Sequence, residues 1–258
     1  SKIKILNSEL EELAVLSAAS SASRKERING ENTLAFSFPI RKSASAYIND
    51  TSVFELDGDY FDVAYYKKEQ QSDGQLMVSV EAEHVSYRLN NPQYNVEFFT
   101  MTGTPTAILT AILDGTDFTL GTVEFSDTVT FSLQEAASRR ALLMQFAAYL
   151  GGELDFYGFE ISVLQQRGST MPKALRVGKD ITVISKAVDK RRLDAQGNPI
   201  ISYTCGVYKG ATIELGDIVT LDYDKLDIDN VSLRVISKTY DPYNPNNVTI
   251  EVGNYSNS

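Results

Sequence analysis

The chain of 258 residues carries one cysteine, one histidine and no tryptophan. A single cysteine cannot close an internal disulfide, which excludes a disulfide-stapled scaffold. One Cys and one His cannot furnish a zinc finger, a three-histidine centre or the paired histidines of a zinc peptidase. Basic residues are also short: 24 Lys and Arg stand against 34 Asp and Glu. The resulting net charge of −10 has the wrong sign for a sequence-independent nucleic-acid binder. Long apolar runs are missing. The longest, Ala141 to Leu150, is interrupted by Gln145 and ends at Gly151-Gly152, well short of the roughly 20 residues a membrane helix needs. The opening Ser1-Lys2-Ile3-Lys4 lacks the apolar core of a signal peptide. These absences predict a soluble chain from a cytosol-like compartment, with no membrane segment, no resident metal and no cofactor.

What is present is β pattern. Lys2–Leu6 alternates, and in Thr33–Phe38 the apolar Leu34, Phe36 and Phe38 share one face. Asn29-Gly30 marks a tight turn before that strand, and Asp57-Gly58-Asp59 splits two strands, 53–57 and 60–69. Residues 75–89 read as one long strand with Leu76, Val78, Val80, Ala82 and His84 on one face. Five or more strands with tight turns predict a small barrel or sandwich.

Near Gly103 the pattern changes. Thr104-Pro105 is an N-cap followed by Pro at the first helical position, and Ile108, Leu109, Ile112 and Leu113 follow at helical spacing. Short strands are expected at 118–120 and 129–131. Ser132 and Glu135 form a capping box for a second helix. Its buried stripe is Leu142, Leu143, Phe146 and Leu150, with Gly151 at the C-cap. A hairpin through 154–156 and 159–164 turns at Tyr157-Gly158. Residues 104–165 therefore read α-β-β-α-β-β. From about Lys173 β pattern resumes, with strands at 181–188, 218–221, 231–240 and 248–252 and turns over 194–199 and 241–247. The expected fold class is α+β, mainly β, in three domains: 1–100, an insert at 101–168, and 169–258.

Candidate chemistry is sparse. His84, in Glu81-Ala82-Glu83-His84-Val85, is the one possible imidazole base; its strand setting favours a packed or interfacial residue. Cys205 sits in strand-like Tyr203-Thr204-Cys205-Gly206-Val207, with none of the basic neighbours that activate a thiol. Gly178-Lys179-Asp180 lacks the spacing of a phosphate loop and reads as a turn. The acidic run Asp222, Asp224, Asp227 and Asp229 suggests calcium, but positions six and twelve of an EF-hand count hold Asp227 and Leu233, so a solvated loop is preferred. A carboxylate pair for glycoside hydrolysis stays open among 34 acids, with no pair singled out. The basic stretch with Lys186, Lys190, Arg191 and Arg192 is a solvated strand end or loop, or a contact for an acidic partner surface or nucleic acid. The apolar pair Phe98-Phe99, just before the insert, is a candidate subunit or domain contact or a core pair. No catalytic, cofactor or metal residue is assigned; the candidate interface residues are Phe98, Phe99, Lys190, Arg191 and Arg192. Such a chain suits a structural or binding module rather than an enzyme.

Several segments, in order, resemble the tail-hub proteins of long-tailed phages, the prophage endopeptidase tail family, which are similar to baseplate hubs of contractile tails. They are the entry Ser20–Pro39 with its Asn29-Gly30 turn, Glu81–Leu89, Ile112-Leu113-Asp114-Gly115-Thr116, Gly151-Gly152-Glu153-Leu154, Gly178-Lys179-Asp180-Ile181, Ile213-Glu214-Leu215-Gly216-Asp217-Ile218-Val219, and Tyr240-Asp241-Pro242 through Val252-Gly253-Asn254-Tyr255. After Asp189 the chain departs from the family pattern: a Thr-Arg-rich strand and Pro-Gly turn are replaced by Lys190-Arg191-Arg192-Leu193-Asp194-Ala195-Gln196-Gly197-Asn198-Pro199. The resemblance implies two tail-tube-like β-barrels per subunit and a homotrimeric ring of pseudo-sixfold symmetry at the tail tip or baseplate of a virion. That ring would adapt the sixfold tail tube and distal tail protein to a threefold tip, beside the tape measure protein. Phage DNA would pass through its lumen without specific binding, helped by acidic walls. Lytic activity, where the family has it, is implied to lie in a separate C-terminal region. The competing readings are a cell-wall endopeptidase or hydrolase and a receptor- or saccharide-binding tail module; the lack of Trp weighs against the last.

Overall fold

The computed structural model describes residues 1–40, 43–194, 196–208 and 212–253. Ala195 of the expected turn and Asn254 and Tyr255 of the closing motif lie outside them. In chain order the elements are β1 (Ile3–Leu6), β2 (Glu12–Leu16), β3 (Ser21–Arg27), β4 (Asn32–Pro39), β5 (Val53–Leu56), β6 (Asp59–Gln70), β7 (Leu76–His84), β8 (Thr100–Gly103), α1 (Pro105–Leu113), β9 (Thr119–Val123), β10 (Val129–Ser132), α2 (Arg139–Leu150), β11 (Glu153–Tyr157), β12 (Glu160–Leu164), β13 (Lys173–Leu175), β14 (Ile181–Leu193), β15 (Pro199–Val207), β16 (Ile218–Tyr223), β17 (Ile228–Asp241) and β18 (Asn244–Gly253). The fold is α+β and mainly β, as the alternation predicts. Two units form: Ser1–Ser20 with Thr33–Gln166, and Ser21–Asn32 with Arg167 onward.

In the first unit the strand order is β4-β7-β6-β5-β1-β2, with antiparallel registers throughout, such as Phe36↔Val80 and Phe61↔His84. The alternation is the cause: Leu34, Phe36 and Phe38 of β4 and Val78, Val80 and Ala82 of β7 all point into the core. The turn 57–58 has both residues at positive φ, 54° for Asp57 and 90° for Gly58, the geometry a two-residue hairpin requires.

The same unit carries the helical segment. β8 pairs with β10, and β11-β12-β9 form a small sheet in which β12 and β9 run parallel. α1 begins as expected, the Thr104 hydroxyl accepting from the Ala107 N–H at 3.3 Å. α2 does not begin at the expected capping box. Ser132 ends β10, and the cap is Ser138, whose Oγ accepts from the Ala141 N–H at 3.1 Å. Pairing with β8 claims Ser132 for the ladder before a helix can start there. The stripe holds except at its end: Ile108, Leu109, Ile112, Leu142, Leu143 and Phe146 share one core with Val85, Leu89, Leu154, Ile161 and Val163, while Leu150, expected to be buried, is only partly so. Gly151 ends α2 in the left-handed region at φ 70°.

The expected strand over 75–89 is also shorter. It stops at His84, and residues 85–90 form a 3-10 helix. His84 is the reason: its Nδ1 accepts from the Ser86 N–H at 3.1 Å, which turns the backbone out of the ladder. From there the helical segment is tied to the strands around it. Arg88 grips Asp62 with two bonds of 2.7 Å, and the Gly158 N–H donates to Asp59 Oδ1 at 3.0 Å.

In the second unit the order is β14-β15-β18-β17-β3, with β16 also on β17 and β13 parallel to β16. Its core gathers Ile181, Tyr203, Cys205, Val207, Val219, Leu221, Val235, Ile250 and Val252. The segment expected to be a turn over 241–247 is mostly strand; only Pro242 and Tyr243 turn before β18 begins. Asp217, 2 % exposed, organises the entry to β16. Its carboxylate accepts from the Ser169 and Glu214 N–H groups, both at 2.8 Å, and from Lys173 Nζ at 2.6 Å. Gly168 and Gly216 face each other there at φ 74° and 88°. A Cβ on Gly216 would overlap the Arg167 carbonyl, so only glycine lets the two backbones meet.

Candidate assembly surface

The histidine and the cysteine are both sealed. His84 is 0 % exposed. Its Nδ1 is occupied by a backbone amide, its Nε2 faces Asp59 Oδ1 at 3.4 Å, and the rings of Phe61 and Phe156 lie 5.7 and 6.0 Å from its own. The fold thus gathers a Ser, a His and an Asp, but the buried Ser86 hydroxyl has no hydrogen-bond partner and so is not on the imidazole. A nucleophile needs that bond to its base. Sequence reasoning overlooked Asp59 and Ser86 as the partners of His84. The signal for Ser86 was its place two residues after a histidine at a strand end, the spacing of a side-chain-to-backbone cap.

Cys205 is buried, and burial pushes its thiol up to about 11. The thiolate is the reactive form, so the native protein is silent to thiol reagents at neutral pH. An Ellman titration reads no thiol in the folded chain and one per chain after denaturation; rapid reaction before denaturation contradicts this burial. The acids of the 222–229 run, read as a solvated loop rather than a calcium site, divide among elements: Asp222 lies next to the end of β16, Asp224 opens a 3-10 turn, Asp227 is at φ 52° and Asp229 is on β17. Among the described residues no group of three or more His, Cys, Asp or Glu is placed to hold a metal ion.

The surface offers strand edges instead. Among the described residues β14 pairs, beyond a bridge from Ile181 to Val177, with β15 alone, and most of its 13 residues are exposed on both faces. Val183, Val188 and Leu193 are exposed apolar residues along it. β6 pairs with β7 along its length, but β5 accompanies it only as far as Asp62. Residues 64–68 beyond that point are exposed on both faces and include Tyr65 and Tyr66. Among the described residues β2 pairs as a strand with β1 and exposes Leu13 and Val15. Unpaired edges of this kind are templates for another chain.

The candidate interface residues fall unequally on this surface. Lys190, Arg191 and Arg192 lie on the far half of β14, fully in solvent. Arg191 is held by Asp189, whose carboxyl lies below the usual range chiefly because it accepts from the Arg191 side chain. The phenylalanine pair divides. Phe98 is 79 % exposed, whereas Phe99 packs on the helical core with its ring 6.3 Å from Phe131.

Comparison with known proteins gives a consistent result. Three family models match in succession: the prophage endopeptidase tail N-terminal domain over residues 3–84, the prophage endopeptidase tail domain over 90–163, and prophage endopeptidase tail over 174–258. No curated protein matches the chain in sequence. Among solved structures the fold is similar to prophage tail protein gp18 from Listeria monocytogenes EGD-e, with a TM-score of 0.75 at 13 % identity, over 100 % of this chain and 96 % of that one. It is similar to the 43 kDa tail protein of prophage MuSo2 from Shewanella oneidensis, at TM-score 0.72 and 10 % identity over 97 % of each chain. It is also similar to the E. coli c3393 protein, at TM-score 0.60 and 12 % identity, over 99 % of this chain and 77 % of that one. That protein is described as a type VI secretion component with structural similarity to the T4 tail proteins gp27 and gp5.

Proposed function

This chain belongs to the prophage endopeptidase tail family, and from that premise we propose that it is a structural hub of the tail tip or baseplate. Three copies close a ring that adapts the tail tube and distal tail protein to the tip. The observation that carries this reading is the edge strand β14, exposed on both faces and open along one side. A strand so placed is a liability in a lone molecule and an asset in a ring, where a neighbour satisfies it. In this reading the chain divides into two tube-like β domains, 1–100 and 169–258, around the insert at 101–168. The tape measure protein and DNA occupy the lumen, and the net charge of −10 favours passage over adhesion.

The chain is structural rather than catalytic in this proposal, although its family name mentions an endopeptidase. The sealed His84 and Cys205 support that reading, because neither can reach a substrate. Light scattering across a concentration series tests it. The expected mass is three times the 28.5 kDa chain. A monomer at every concentration, alone and with the distal tail protein, or peptidoglycan turnover lost in His84→Ala, overturns it.

A further inference from the structure

The β14–β15 hairpin outruns its sheet. Among the described residues β18 accompanies β15 only from Ser202 to Val207. Residues 188–194 and 196–201 stand, among the described residues, as a two-stranded ribbon, with Val188 opposite Ile201 and Leu193 opposite Pro199. Two strands alone are marginal in water, and this pair keeps Val188 and Leu193 more than half exposed. The ribbon is also basic on an acidic chain, with Lys190, Arg191 and Arg192 in succession. Arg191 is committed to Asp189; Lys190 and Arg192 make no ion pair among the described residues.

The other unit offers an edge of opposite character. β2 is open on one side and exposes Leu13 and Val15, and Glu9, Glu11 and Glu12 lie exposed at its start. Glu11 is held in place by Asn7, and Glu12 is only loosely met by Lys4 at 3.8 Å. Another open edge, 64–70 of β6, carries Lys67, paired with Glu69, and Lys68, leaving it the same net sign as the ribbon. Like charges set side by side disfavour that pairing.

We propose that the β14–β15 ribbon of one copy docks edge-on along β2 of a second copy, with Lys190 and Arg192 meeting Glu9 and Glu12 and the exposed apolar residues closing between them. The two patches differ, so the contact can repeat head-to-tail, and in the ring proposed above it closes on itself. This inference rests on the ring reading above and names the surfaces that make the ring.

A charge swap tests it. Lys190→Glu with Arg192→Glu weakens self-association by about tenfold or more, and Glu9→Lys with Glu12→Lys does the same. Combining all four restores the mass measured by light scattering. In a second experiment Val188→Cys on one copy and Val15→Cys on another join through a short bifunctional maleimide, while buried Cys205 stays silent. A three-chain mass that neither reversal disturbs, or a Val188→Cys cross-link to Tyr65→Cys instead of Val15→Cys, overturns the pairing and leaves the ring standing. A monomer under every condition overturns both.

Discussion

Asp217→Ala costs the second unit about 3 kcal/mol in urea unfolding. The carboxylate is 2 % exposed and has three donors around it. Removing it leaves the Ser169 and Glu214 amides and the Lys173 ammonium without their acceptor, at the point where Gly168 and Gly216 bring two backbones together. The partial exposure of Lys173 keeps the loss near the lower end for a broken buried pair. Burial pushes the Asp217 carboxyl up, yet the Glu214 N–H, the Lys173 ammonium and the Ser169 N–H outweigh it and hold the group below its usual value. The sign follows from linkage. A depressed folded-state value adds stability above the unfolded carboxylate value, about 3.9, and that stability is lost as the pH falls through the folded value. Acid titration of wild type therefore steepens below about pH 4, and Asp217→Asn flattens it. A loss under about 1 kcal/mol for the alanine variant would show that the glycine crossing holds without its carboxylate.

Phe146→Ala is expected to cost about 3–5 kcal/mol. Phe146 is 0 % exposed at the centre of the helical core, with its ring 4.9 Å from that of Phe131 and 6.3 Å from that of Tyr149. No neighbouring element can collapse into the void, because α1, α2, β11 and β12 all press on the same cluster. Hydrogen exchange locates the loss. Protection falls across residues 99–163 while β15, β17 and β18 keep theirs. Equal loss in both units would mean that they unfold as one and that the cores are not separable.

The sequence was a reliable guide where two local signals agreed. Leu34, Phe36 and Phe38 alternate beside the Asn29-Gly30 turn, and β4 is found there. Thr104-Pro105 precedes an apolar stripe, and α1 is found there. It misled where one signal stood alone. Ser132 and Glu135 have capping-box spacing, but β8 had already claimed Ser132 as a strand partner, a contact 32 residues away. Val85 and Leu89 continue an apolar pattern past His84, but a side-chain nitrogen redirects the backbone. β2 escaped notice because a five-residue strand starting on Glu12 carries too few alternations to stand out. The candidate surface was legible only in part. Lys190, Arg191 and Arg192 were visible as a basic run, but that they sit on a ribbon with no third strand among the described residues depends on where β18 pairs with β15. Nothing local separates Phe98 from Phe99; the tertiary core takes one and leaves the other.

β3 lies near the beginning of the chain, yet it is a strand of the second unit, paired with β17 from Arg24↔Tyr240 to Arg27↔Ser237. A ribosome therefore delivers the two partners roughly two hundred residues apart, which at about 5–20 residues per second is a wait of about 10–40 seconds. During that wait the edge of the strand that receives β17 is unfilled, and the C-terminal sheet cannot be finished by C-terminal sequence alone. No single cut can then yield two self-sufficient halves. A truncated product keeps an open strand edge at its front, so incomplete copies are poor competitors for places in the tail.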